Sequence, residues 1–113
     1  MALTPAMQIE GETFGTPKVI GTLDGHTVYS KVIDFGALPN AATYKEVDSG
    51  LSNSNVVLNL YGVYVNGTGT VFPLPNQLDS DYKVEFGIYN NKIRIATYRD
   101  RSQFSAYVTI EYY

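Results

Sequence analysis

At 113 residues, 44% hydrophobic and 17% charged, the chain is long enough for one folded domain and too apolar for a disordered segment. Its net charge of −3, with eight basic residues scattered along the sequence, leaves no basic stripe of the kind nucleic acid requires. With no cysteine and one histidine, disulfides and thiolate sites are excluded and a histidine-rich zinc site is all but excluded.

The opening tract, MALTPAMQIEGETF, has no basic region followed by a long apolar one, so no signal peptide is expected. Residues 1–17 read as an arm or linker, and residues 18–113 as one β domain. The first β-rich runs, FGTPKVIGTL and HTVYSKVIDF, flank Asp24-Gly25. Both residues accept the positive φ of a tight hairpin turn, which makes His26 the first residue of the returning strand. Asp24 and His26 are therefore read as turn and strand rather than as an acid–base pair. The segment from Gly36 to Thr43 is expected as a loop, Tyr44–Val47 as a short strand, and Leu51–Asn55 as a polar connection.

The middle, NVVLNLYGVYVNGTGTVFPLP, reads as a long strand, a turn at Asn66–Gly69 and a short strand. Pro73 and Pro75 lack an N–H and are expected to end any ladder there. Asn66-Gly67-Thr68 matches a glycosylation sequon, a pattern common by chance. Asp79-Ser80-Asp81 offers two acids near a loop but lacks calcium-loop spacing, so a solvated turn is the better reading.

The clearest unit is YKVEFGIY–NN–KIRIATY. A two-residue Asn90-Asn91 loop places Ile88 opposite Ile93, Phe86 opposite Ile95 and Val84 opposite Thr97 on an apolar face. On the other face Tyr89 meets Lys92, Gly87 meets Arg94 and Lys83 meets Tyr98. Glu85 lies diagonal to Arg94 there and is expected to pair with it. In the last strand, Phe104, Ala106, Val108, Ile110 and Tyr112 alternate with polar and tyrosine positions. About seven to eight short strands at this spacing predict an all-β fold, an antiparallel β-sandwich of jelly-roll or immunoglobulin-like type.

No nucleophile motif, phosphate loop or metal-ligand spacing accompanies these strands, so no catalytic residue, metal or cofactor is assigned and the chain is read as a non-enzyme. The remaining candidates are surface aromatics and arginines, side chains preferred at interfaces and able to stack on sugar rings. They are Tyr89, Arg94, Tyr98, Arg99, Arg101, Tyr107 and Tyr113, read as ligand or interface residues. A second sheet covering that face is the competing reading.

Four motifs in order carry a resemblance. VIGTLDGHTVYSKVIDFGALPN (19–40), Tyr61-Gly62-Val63, Pro73-Leu74-Pro75 and the ending from Asp100-Arg101-Ser102 to Tyr112 together resemble a module of phage and prophage tail and receptor-binding proteins. The similarity spans about residues 18–113. It departs from the module before Asp24-Gly25, where Thr22-Leu23 stand at a usually aromatic position. The resemblance implies a small, commonly trimeric virion module: a tail-tip or fibre head domain binding a host-surface glycan or protein. It also implies contacts to other virion proteins through residues 1–17; the scattered basic residues and short apolar runs separately argue against nucleic-acid binding and membrane insertion. The alternatives are a capsid decoration or head-fibre protein, and a carbohydrate-binding module of a larger protein.

Overall fold

The computed structural model describes residues 13–76 and 82–113, so the Asp79-Ser80-Asp81 tract and most of the 1–17 arm lie outside the described residues. Within these described residues eight antiparallel strands form a β-sandwich: β1 Lys18–Leu23, β2 His26–Ala37, β3 Thr43–Asp48, β4 Val57–Val65, β5 Val71–Leu74, β6 Val84–Tyr89, β7 Lys92–Thr97 and β8 Ser105–Tyr112. The larger sheet has the order β1-β2-β8-β4-β5, and the smaller one the order β3-β7-β6.

Alternation in β8 and β7 explains how the sheets face each other. Ala106, Val108 and Ile110 of β8 and Ile93 and Ile95 of β7 are wholly buried, while their alternate neighbours point outward. Phe35, Leu38, Tyr64, Leu74, Val84, Phe104 and Tyr112 complete the core. Tyr64, Phe72 and Phe104 pack ring against ring with centroids 5.3–6.0 Å apart. Gly62 sits where β4 approaches β8, and a Cβ there would lie 2.5 Å from the Tyr107 carbonyl oxygen. Only glycine fits that approach.

Both predicted hairpins form. Asp24 and Gly25 take φ of 49° and 82°, and Asn90 and Asn91 take 51° and 64°. The β6–β7 register is the expected one, from Val84 opposite Thr97 to Tyr89 opposite Lys92. His26 begins β2 and its ring stacks on Tyr113 with centroids 4.0 Å apart, which makes it a packed surface imidazole.

Two boundaries differ from the sequence reading. Gly36 and Ala37 belong to β2, opposite Ala106 and Ser105 beyond a bulge, so the loop is shorter than expected. Pro73 does not end a ladder. It lies inside β5 opposite Val63, tolerated because β5 is an edge strand whose missing donor leaves no inner bond unmade. The sequon residue Asn66 acts as a turn former, its Oδ1 accepting bonds from the Thr68 and Thr70 N–H groups at 3.0 Å each.

Polar groups join the two sheets and brace the smaller one at its β6–β7 turn. Lys45 Nζ of β3 donates to the Phe35 and Ala37 carbonyls of β2 at 3.2 and 2.9 Å. Ser49, fully buried, donates its hydroxyl to the Asn91 carbonyl at 2.5 Å and accepts the Leu51 N–H. Residues 13–17 of the arm lie along the larger sheet. Gly15 donates its N–H to the Val32 carbonyl at 2.7 Å, and Phe14 stacks on Tyr107.

Candidate binding face on the smaller sheet

The outer face of the smaller sheet is built by register. β3 presents Tyr44, Glu46 and Asp48 beside Ala96, Arg94 and Lys92 of β7. β6 presents Glu85, Gly87 and Tyr89 beside the same three residues. Arg94 stands at the centre, and its neighbours in β7 are the core residues Ile93 and Ile95. The strand beneath the guanidinium is therefore anchored by apolar packing rather than by the surface contacts.

Arg94 is held from both sides. Its Nε donates to Oε2 of Glu46 at 3.1 Å, and its Nη2 forms an ion pair with the same oxygen at 3.0 Å. Its guanidinium carbon lies 4.1 Å from the Tyr44 ring centre and 4.4 Å from that of Tyr89, close enough for cation–π attraction to each. Tyr44 and Tyr89 are each 52% exposed, so ring surface remains open to solvent. Gly87, opposite Arg94, makes this arrangement possible: a Cβ there would stand 3.2 Å from Cε2 of Tyr89. Small residues at 87 and 96 leave a depression of about 220 Å³ lined by Tyr44, Glu85, Phe86, Tyr89, Arg94 and Ala96.

Glu85 does not pair with Arg94, contrary to the expectation from the hairpin alone. Glu46 on the third strand takes the guanidinium, and Glu85 pairs with Lys83 at 3.4 Å. Lys83 Nζ also lies 4.8 Å from the Tyr98 ring centre. The hydrogen bond to Glu85, with the fields of Tyr98 and Glu85, raises the Lys83 ammonium above the usual lysine range and keeps it charged.

The seven sequence-predicted surface residues are dispersed. Tyr89 and Arg94 meet directly, and Tyr98 lies beside them through Lys83 and Glu85. Arg99 and Arg101 instead flank the Tyr82 ring at 5.1 and 4.7 Å. Between them, Asp100 is held below the usual carboxylate range by hydrogen bonds from the Ser102 hydroxyl and N–H. Tyr107 is on the opposite outer face, stacked on Phe14 at 5.6 Å, and Tyr113 is with His26. Tyr44 and Glu46 were missed. Tyr44-x-Glu46 carried the period-two signal of a two-faced strand, but nothing local assigned that strand to β7, 48 residues away at Glu46–Arg94.

Among the described residues no three acidic or histidine side chains converge on a common metal position. No family model matches the chain, and no curated protein or solved structure matches it either.

Proposed function

We propose that the chain is a non-catalytic recognition module of a phage particle, a tail-tip or fibre head domain that self-associates and contacts a host-surface receptor. The observation that carries the recognition half is the Tyr44–Arg94–Tyr89 arrangement, two exposed rings fixed on a rigid sheet by a cation with its own carboxylate partner. Pre-fixed amphipathic rings lose little freedom when a partner binds, so they suit reversible recognition. The phage setting rests on the order of the four sequence motifs, from Val19 to Tyr112.

The test is immunogold labelling of intact phage particles with an antibody against this chain. Label at the tail tip or on a fibre supports the reading, and particles without the protein overturn it. Label on the head would transfer the chain to a decoration role, with the same face turned outward.

A further inference from the structure

We infer that the depression between Tyr44 and Tyr89 takes an uncharged pyranose ring of a glycan, and that it discriminates against acidic sugars. The inference rests on the recognition reading above and adds the chemical class of the ligand.

Size comes first. About 220 Å³ is smaller than the roughly 300–1,000 Å³ of sites that enclose drug-sized ligands, and it suits a single ring resting on a shelf. The lining supplies both things a sugar offers to bind. Tyr44 and Tyr89 give exposed apolar ring surface for a C–H face, and their hydroxyls, with the Glu85 carboxylate, give partners for ring hydroxyls. A flat hydrophobic ligand would strip water from the Glu85 carboxylate and the remaining Arg94 N–H groups while giving them no new hydrogen bond, at a cost in affinity.

Charge decides the class. Arg94 looks like an anion receptor, but two of its N–H groups already meet Glu46, and Glu85 lines the same depression. Lys83 is occupied by Glu85 and Tyr98. Inside the depression an incoming carboxylate, sulfate or phosphate would therefore meet the Glu85 carboxylate and a guanidinium already paired, while Lys92, opposite Tyr89, is exposed outside the lining. A neutral hydroxylated ring meets no such opposition.

The test is an NMR titration of the full chain with methyl glycosides of glucose, galactose, mannose and N-acetylglucosamine, alongside glucuronic and N-acetylneuraminic acids. Expected are shifts confined to the amides of Tyr44, Glu85, Gly87, Tyr89 and Ala96 and to Arg94 Nε, with at least one neutral sugar and with neither acid. Tyr89→Ala and, independently, Tyr44→Ala should each weaken that binding about tenfold or more, as loss of an interface tyrosine commonly does. Core amides of β7 and β8 serve as the check that each variant is folded. Glu46→Gln, which removes the carboxylate from Arg94, should raise the affinity for glucuronic acid relative to the neutral sugars.

Tighter binding of the acids to the wild-type chain, shifts away from the shelf, or no shift with any neutral sugar overturns the inference. Binding of the labelled chain to receptor-bearing cells that survives Tyr89→Ala also overturns it, while leaving the recognition reading standing. Neutral-sugar binding by a chain found on no phage particle would do the reverse.

Discussion

Lys31 is the residue whose chemistry least suits its position. It is 6% exposed, faces the interior of the sandwich opposite Ile110, and lies with Nζ 5.2 Å from the Tyr112 ring centre. Burial lowers its ammonium from the ordinary lysine value, and the nearby Asp48 carboxylate opposes that fall without cancelling it. With the folded value below the unfolded one, the unfolded chain holds more protons between the two, so this group makes stability rise with pH across that interval. The charged side chain thus works against folding at neutral pH. Lys31→Met should stabilise the protein by about 1 kcal/mol at pH 7, since apolar residues often replace buried ionic groups at no loss. The gain should shrink as pH approaches the ordinary lysine value of 10.5. Urea unfolding of both proteins at pH 7 and near pH 10 measures this. The difference between them removes the contribution of Tyr64 and Tyr112, whose hydroxyl values burial raises and which therefore act in the opposite direction on stability. A pH-independent difference would mean that Lys31 does not titrate with folding.

Gly87 makes a second residue-scale prediction, tied to the binding face rather than to the core. The atom that a new methyl would meet is the flexible Tyr89 ring, at 3.2 Å, and not backbone. Gly87→Ala should therefore leave stability within about 0.5 kcal/mol while displacing the ring from Arg94. The expected readout is an unchanged urea midpoint together with altered Arg94 Nε and Tyr89 ring signals in NMR spectra.

At the scale of the element, the hairpins depend on backbone that most side chains resist. Asn91 holds φ at 64° and its side chain donates to Asn53 Oδ1 at 2.8 Å, while its carbonyl receives the Ser49 hydroxyl. Asn91→Val should cost about 1–3 kcal/mol, because a β-branched residue strains at positive φ. Thermal unfolding measures it, and a midpoint equal to that of the wild type would count against a turn held in this geometry.

These turns are also why so much of the fold was legible. Asp24-Gly25 and Asn90-Asn91 fix register within a few residues, and alternation in β8 names its own buried face. Pairings with no local signature were not legible. The β3–β7 contact that gives Arg94 its carboxylate depends on where a six-residue strand docks, and Glu85 looked the nearer partner only because β3 was absent from the hairpin. Pro73 was misjudged for a related reason: whether a proline ends a ladder depends on which strand is at the edge, a property of the whole sheet.

At the scale of the molecule, two open sheets leave four edges, and three are guarded against pairing with another chain. β5 is four residues long and contains Pro73. β3 carries Lys45, Glu46 and Asp48, and β6 carries Glu85 with Lys83 just before it. β1 differs. From Val19 to Leu23 it holds no charge, all its residues are exposed, and Val19, Ile20 and Leu23 are 59%, 48% and 50% exposed. Among the described residues its guards are a bulge at Ile20 and Lys18 at its start. On a chain of net charge −3, this longer edge, uncharged beyond Lys18, lets two copies approach with little repulsion. If the module self-associates as proposed, β1 is the edge that a second copy covers. A two-fold pairing needs nothing but the same edge from each copy. Light scattering of the wild-type chain should then give a dimer mass that falls toward the monomer on dilution. Ile20→Lys should give a monomer throughout, with stability changed by no more than about 0.5 kcal/mol because the position is exposed. A monomer at every concentration would remove self-association from the proposed function. A trimer mass would keep it and rule out two-fold edge pairing, since a closed three-fold ring needs two different surfaces on each copy.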